Sequence, residues 1–331
     1  MSVRVRVDAW LGMGEEHVNL QENKERRSRE EFRTEVTGLL KEILREGYET
    51  DFSKVRKNNG VMKDALFIRK ENSECIPCFY MEELYQSYCM GEQEAALAEY
   101  LANIVQGECE KIRRQAGTFL EKDWITTHLF LRLLHTESNK KQLDDAVYVE
   151  YLDLAAVVYV LTENGADGVK SYQLPKKVWE TLELGSIEEY FPKIMENTRR
   201  LFPERLVCME RITLPYTENG EPAYAVRLSE PEERLKEQRL YILTNVKKIN
   251  GAATVLYPEL LKRLGERFEG DYYVIPSSVH EVLLLKDTEG EESERLNRMV
   301  QEVNDSQVAP EEVLAYHVYF YSVEKECLLE C

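Results

Sequence analysis

The chain has 331 residues, with 43 Lys or Arg against 61 Asp or Glu, so its formal net charge is −18. Hydrophobic residues make up 43% of it, which is globular composition and excludes the low hydrophobicity of a disordered chain. The acidic excess argues against direct binding of nucleic acid or of an anionic membrane, because phosphate contact needs a basic field. No secretory signal and no apolar run of membrane length is apparent, so we expect a soluble, cytoplasmic protein.

The first part of the chain predicts a small α+β subdomain over residues 28–120, preceded by a weakly structured extension over 1–27. Ser28 and Glu31 form the pattern of a capping box, which places the start of a helix there. Asn58-Asn59-Gly60 is typical of a hairpin turn, because Asn and Gly tolerate positive φ. We expect strands on both sides of this turn and over 75–80, then helices over 81–90 and 92–105.

The remainder, 121–331, predicts a larger α+β subdomain. Periodicity does not distinguish strand from helix over 108–150. Beyond it we expect strands over 148–161, 206–214, 223–228 and 240–244, and helices over 175–181, 187–201, from Pro258 onward, and over 296–303. We expect further strands over 272–275 and 279–285, separated at Pro276, and a closing strand over 313–323. The fold class is therefore α+β, with mixed or antiparallel sheets covered by helices in two packed subdomains.

Several common signatures of chemistry are absent from the sequence. There is no G-x-S-x-G elbow, no P-loop and no complete dinucleotide fingerprint. His280-Glu281 continues to Leu284, where a zinc-binding H-E-x-x-H would need a second histidine. Cys75 and Cys78 form a C-x-x-C pattern, but on a strand its two thiols face opposite ways, so we interpret it as coincidence. We therefore expect no metal site and no cofactor.

The most distinctive stretch is 241–285, where polar residues follow two strands. If 278–283 were one strand, Ser278 and His280 would share a face, as a nucleophile and its base would, and Glu281 would point the other way. The competing interpretation is a turn whose serines satisfy backbone groups beside a half-buried histidine. The catalytic candidates are Ser278, His280 and Glu281. The binding candidates are Thr244, Asn245, Asn250, Gly251 and Ser277.

Asn250-Gly251 precedes a predicted helix and follows Lys247 and Lys248, so this turn could hold an anion. An ordinary turn beside solvated lysines is the alternative. Under either interpretation, we predict that the polar candidates between Thr244 and Glu281 lie close together in one polar cluster.

A set of short motifs resembles a family of uncharacterised proteins from anaerobic firmicute bacteria, catalogued as a domain of unknown function. The resemblance covers about residues 28–325. It implies a shared fold and carries over no activity. The motifs are Lys57-Asn58-Asn59-Gly60-Val61, Leu152-Asp153-Leu154-Ala155, Asn197-Thr198-Arg199-Arg200-Leu201, Tyr241-Ile242-Leu243-Thr244-Asn245, Gly251-Ala252-Ala253, Leu256-Tyr257-Pro258, Pro276-Ser277-Ser278-Val279-His280-Glu281-Val282, Glu311-Glu312-Val313-Leu314 and His317-Val318-Tyr319.

The missing signatures favour a non-enzymatic binding or protein-interaction function, with a protein partner or a second copy contacting the tyrosine-rich C-terminal third. The alternative is a small-molecule hydrolase or transferase that uses a polar cleft around 244–281. A weaker alternative, from the acidity alone, is a mimic of DNA. The tyrosines in question are Tyr241, Tyr257, Tyr272, Tyr273, Tyr316, Tyr319 and Tyr321.

Overall fold

The computed structural model describes residues 27–71, 76–115, 121–165, 168–209, 225–226, 235, 239–288 and 292–331. The extension predicted for 1–27 lies outside them except for Arg27, as do Cys75 and parts of the strands predicted over 206–214 and 223–228. In these residues, no helix combines the length and apolarity needed to cross a membrane.

Helices and antiparallel sheets both contribute, which confirms the α+β class. The helices are α1 Arg29–Leu44, α2 Met81–Met90, α3 Glu94–Gln115, α4 Lys122–His128, α5 Lys140–Leu143, α6 Lys176–Leu182, α7 Ile187–Leu201, α8 Leu260–Phe268 and α9 Ser293–Ser306. The strands are β1 Tyr48–Arg56, β2 Met62–Lys70, β3 Cys78–Tyr80, β4 Leu129–His135, β5 Tyr148–Tyr151, β6 Leu154–Gly165, β7 Gly168–Gln173, β8 Glu204–Cys208, β9 Ala225–Val226, β10 Tyr241–Asn245, β11 Tyr272–Ser278, β12 Glu281–Lys286, β13 Tyr319–Ser322 and β14 Cys327–Glu330.

The chain divides into two compact units. The first comprises the described parts of Met1–Lys57, Met62–Ile125 and Thr162–Tyr172. Its sheet has the order β1-β2-β3, and α1 begins at the predicted capping box of Ser28 and Glu31. Phe32, Val36 and Leu40 recur at helical spacing on the buried side of α1, where they pack with α2 and α3.

The second unit comprises Asn58–Val61, Thr126–Leu161 and the described parts of Gln173–Cys331. It holds a seven-stranded antiparallel sheet of order β14-β13-β11-β12-β10-β8-β9. The segment 108–150, left open between strand and helix, contains both. Its strand β4 pairs with β6, and β6 also pairs with β5. The boundary expected near residue 120 stays a prediction.

The strand division predicted at Pro276 is wrong. Strand β11 runs through Pro276 to Ser278, and the turn lies at Val279 and His280, before β12 begins at Glu281. Pro276 is tolerated there because β13 pairs with β11 only as far as Val274, so no partner on that side needs its missing N–H. The parity argument for 278–283 fails with it, because these residues form a hairpin and not one strand.

The closing strand is also shorter than predicted. Residues 313–318 are not strand, and β13 covers Tyr319–Ser322 only. A further strand, β14, follows it. Helix α8 begins at Leu260 and not at Pro258, after Glu259 adopts a left-handed φ of 61°.

An amide network fixes the Asn58–Gly60 turn within the second unit. Asn59 has a left-handed φ of 57°, and its side-chain amide donates to the carbonyls of Pro310 and Val313, 2.8 Å away in each case. Its side-chain oxygen accepts from the buried Asn139. The Asn-Asn-Gly motif therefore has a structural role beyond turn formation.

Candidate functional site

Four of the residues predicted to converge, Thr244, Asn250, Gly251 and His280, lie against one another at the β11–β12 hairpin. The hydroxyl of Thr244 donates to the carbonyl of His280 at 2.8 Å, and the backbone N–H of Asn250 donates to His280 Nδ1 at 3.1 Å. Gly251 packs so closely that an added Cβ would lie 2.1 Å from Thr244 Oγ1 and 2.4 Å from the His280 carbonyl oxygen. Thr244, Asn250 and Gly251 therefore fix the position of the His280 backbone and ring.

The chemistry within that cluster differs from the predicted one. Ser278 Oγ accepts from the backbone N–H of His280 at 3.1 Å, whereas the ring nitrogens of His280 contact Asn250 and Glu312. The ring is held elsewhere, since Nδ1 accepts from Asn250 and Nε2 lies 3.4 Å from Glu312 Oε1. Ser278 therefore acts as a turn serine, as the competing interpretation proposed.

The remaining candidates are also engaged locally. Glu281 Oε1 accepts from Ser277 Oγ at 3.3 Å. The Asn245 amide donates to the carbonyl of Ile249 at 2.8 Å, and its oxygen accepts from the N–H of Lys247. These contacts organise the segment before Gly251 and present no reactive group in an activated state.

A second titratable cluster, which we call the Asp153 centre, consists of His135, Ser138, Asp153, His317 and Tyr319. Asp153 lies in the tight turn between β5 and β6, His135 ends β4, and Tyr319 begins β13. His317 Nε2 lies 3.0 Å from Asp153 Oδ2, and His135 Nε2 lies 3.5 Å from the same oxygen. Tyr319 donates its hydroxyl to Asp153 Oδ1 at 2.6 Å.

These donors determine the charge state of the centre. Burial opposes ionisation of Asp153, yet hydrogen bonds from His135, His317 and Tyr319 outweigh it and hold the pKa of the carboxyl well below its usual range. The hydrogen bond to Asp153 raises the pKa of His317 above its ordinary value, although burial opposes this. Burial and then the bond to Asp153 raise the pKa of Tyr319. Asp153 is therefore an anion at neutral pH, and Tyr319 keeps its proton.

Ser138 completes the centre on the far side of His135. Its hydroxyl lies 2.7 Å from His135 Nδ1, and its backbone N–H donates to the same nitrogen at 3.3 Å. Because Nδ1 accepts from the backbone, the ring proton of neutral His135 belongs on Nε2, facing Asp153. Next to this chain of contacts, the hydroxyl of Thr136 is buried and makes no hydrogen bond within the described residues.

The Asp153 centre is half-buried and not closed off from solvent. The side chains of His135, Asp153 and His317 keep 14%, 21% and 25% of their accessible surface. Within the described parts of the chain, no group of three or more His, Cys, Asp or Glu side chains is arranged to hold a metal ion. The two imidazoles of the centre instead direct their Nε2 atoms at one carboxylate oxygen.

Sequence reasoning missed this centre because its members come from three distant segments. Two signals were present. Asp153 interrupts an otherwise apolar stretch, and His317-Val318-Tyr319 places two polar side chains on one face of an extended segment. Both segments are among the motifs on which the resemblance rests, yet neither predicts the other as its neighbour.

A comparison with models of protein families shows which family the chain belongs to. The model of DUF5688, a family of unknown function, matches residues 29–323, so the protein belongs to this family. No curated protein and no solved structure was found to match. The family carries no assigned activity, and the function is therefore argued from the geometry of the chain itself.

Proposed function

We propose that the protein is a serine-dependent hydrolase of small neutral carboxylic esters, with Ser138 as the nucleophile and His135 as its base. The observation that carries this proposal is the contact chain Ser138 Oγ, His135 and Asp153. The hydroxyl lies 2.7 Å from Nδ1, while Nε2 of the same ring faces a carboxylate that three donors keep ionised.

The arrangement has the three roles that nucleophilic catalysis needs: a hydroxyl, a base within hydrogen-bond reach and a group that orients the base. The imidazole is reversed relative to the usual Ser-His-Asp order, in which the serine meets Nε2. The reversal leaves the chemistry intact, because a neutral imidazole donates at one nitrogen and accepts at the other.

In the first step, Ser138 Oγ attacks the ester carbonyl carbon and its proton moves to His135 Nδ1. The carbon–oxygen bond of the ester then breaks, and the leaving alkoxide takes that proton and departs as an alcohol. In the second step, water attacks the acyl-Ser138 ester while His135 takes and returns a proton, which releases the carboxylic acid. The anionic Asp153 stabilises the imidazolium formed in each step.

His317 and Tyr319 serve as positioning residues in this account. Their hydrogen bonds of 3.0 and 2.6 Å fix both carboxylate oxygens of Asp153. A carboxylate held this way keeps one orientation toward the His135 ring, which is the preorganisation that electrostatic stabilisation needs.

The choice of a neutral ester follows from the charge of the chain. A net charge of −18 produces a negative potential that repels anionic substrates and leaves neutral ones unaffected. A phosphate ester would also require the ionised Asp153 to tolerate a second anion nearby.

The test is hydrolysis of p-nitrophenyl acetate by wild type, Ser138→Ala and His135→Gln. We expect each variant to lower kcat/KM by about 10²–10⁴-fold, the range for loss of positioned proton transfer or of its nucleophile. Ser278→Ala is the matched control, because the Ser278 hydroxyl accepts a hydrogen bond from the backbone of His280 and lies outside the Asp153 centre. Loss of turnover in Ser278→Ala with retention in Ser138→Ala would reject the proposal, and thermal unfolding of each variant separates misfolding from loss of chemistry.

A binding function through the tyrosine-rich third stays a prediction, and the exposure of the tyrosines gives it less support than the sequence did. Six of the seven keep 3% or less of their accessible surface, and only Tyr316, at 41%, is exposed. The six buried tyrosines belong to the hydrophobic core, where the rings of Tyr272 and Tyr321 stack on each other.

A further inference from the structure

The contacts of His317 determine the charge of its ring. Its Nε2 lies 3.0 Å from Asp153 Oδ2, and its Nδ1 lies 3.0 Å from the carbonyl oxygen of Val318. A carboxylate and a backbone carbonyl only accept hydrogen bonds, so both ring nitrogens carry a proton. An imidazole with two N–H groups is an imidazolium, and His317 is therefore a cation in this geometry.

The groups around His317 differ in their effect on that charge. The negative charges of Asp153 and Glu330 raise its pKa, with the hydrogen bond to Asp153 as the largest cause, although burial opposes them. Tyr319 donates to the other oxygen of Asp153 and keeps its proton. His135 is the competing group, because its Nε2 lies 3.5 Å from the same oxygen that His317 contacts.

The shared oxygen couples the two histidines. When Ser138 gives its proton to His135, two imidazolium rings direct their Nε2 atoms at Asp153 Oδ2. At an effective dielectric constant of about 20, two like charges so close together slow such a step by about tenfold or more. When His317 releases its Nδ1 proton to solvent, Nε2 keeps its hydrogen bond to Asp153 and this repulsion is removed.

We propose that His317 is a pH-sensitive switch of the ester hydrolysis, which is slow while the ring is an imidazolium and fast once the ring is neutral. This inference rests on the proposed hydrolase function and names its regulation. His317 acts through Asp153 and is therefore a positioning residue. Its charge sets the pH range of the reaction, which is fastest on the alkaline side of the His317 titration.

The first experiment reads the charge of the ring directly, by NMR of the imidazole nitrogens in the wild-type protein. The signals of His317 are those that disappear in His317→Gln. We expect both nitrogens to be protonated at about pH 7 and the ring to titrate above its ordinary pKa of about 6.5. A neutral His317 ring at about pH 7 would overturn the inference.

The second experiment follows kcat/KM for p-nitrophenyl acetate from about pH 5.5 to 9, after subtraction of the uncatalysed rate. We expect the wild-type value to rise by about tenfold or more in step with the NMR titration. His317→Gln keeps a neutral donor, so it should lack that step and exceed the wild type on the acidic side. His317→Lys keeps the positive charge and should stay slow throughout. His128→Gln, at the end of α4, is the control and should retain the wild-type profile.

The outcomes separate the two proposals. If hydrolysis depends on Ser138 but the step survives in His317→Gln, the switch is wrong and the hydrolase function stands. If hydrolysis is indifferent to Ser138→Ala, the hydrolase function fails and the switch fails with it. Thermal unfolding at each pH shows which variants are folded, and His317→Asn is a second neutral variant in case His317→Gln is not.

Discussion

At the scale of single residues, the pair of His317 and Asp153 gives the fold a defined dependence on pH. Because the pKa of His317 is raised on folding, its contribution to the free energy of unfolding is complete below its unfolded pKa of about 6.5. That contribution is lost as pH rises through the folded pKa. Because the pKa of Asp153 is lowered on folding, its contribution to the free energy of unfolding is complete above about pH 4. That contribution is lost as pH falls through the folded pKa. The two windows overlap between about pH 4.5 and 6.

We therefore predict that His317→Gln lowers the free energy of unfolding by about 1 kcal/mol or more near pH 5.5, and by less near pH 9. Urea unfolding of wild type and variant at the two pH values measures the difference. An effect of equal size at both would contradict the ion pair.

Gly251 offers a second test at this scale. A Cβ there would lie 2.1 Å from Thr244 Oγ1 and 2.4 Å from the His280 carbonyl oxygen, and the backbone cannot move away cheaply. We predict that Gly251→Ala lowers the free energy of unfolding by about 1–3 kcal/mol or more. Gly38→Ala is the control, because Gly38 lies inside α1 with nothing within 4 Å of the added Cβ, and it should gain about 0.5–1 kcal/mol. A harmless Gly251→Ala would mean that the close packing around His280 is not as described.

The two polar clusters show how far residue-level reasoning reaches. The His280 cluster was predictable because its members lie within about forty positions, on β10 or in the turns next to β10 and β12, which pair with each other. The Asp153 centre was not, because positions 135, 153 and 317 meet only through the pairing of β4 with β6 and the placement of β13. Sequence spacing carries no information on such pairings.

At the scale of elements, local signals were reliable where one residue determines the outcome. The Asn-Asn-Gly turn and the Ser28 capping box both formed as predicted. The signal at Pro276 misled, because proline ends a strand only where its N–H would be paired, and here β13 does not extend that far. A tertiary feature therefore decided the position of the hairpin.

Helix α7 has a capping box of the same kind, in which Ser186 accepts from the N–H of Glu189 and the Glu189 carboxylate accepts from the N–H of Ser186. We predict that Ser186→Ala lowers the free energy of unfolding by about 1 kcal/mol. Ser186→Asp, which keeps an acceptor at the N-cap, should restore most of it. Equal losses in the two variants would show that packing, and not the cap, is responsible.

At the scale of the whole molecule, the net charge of −18 bears on both folding and substrate choice. A negative potential lowers the local concentration of anionic substrates, and about 0.1 M salt screens it over about 10 Å. We predict that kcat/KM for an ester carrying a carboxylate rises as salt is increased, while the value for a neutral ester of equal length stays constant. A parallel response of both esters would remove charge as the basis of selectivity.

The most direct test of the account is the site at which a fluorophosphonate reacts, because a serine activated by an adjacent base is far more nucleophilic than an ordinary one. We expect one adduct per chain by intact mass, located on Ser138 by peptide mapping and absent from His135→Gln. Adduct formation at Ser278, or an unmodified Ser138 in the folded wild-type protein, would contradict the central claim that His135 and Asp153 activate Ser138.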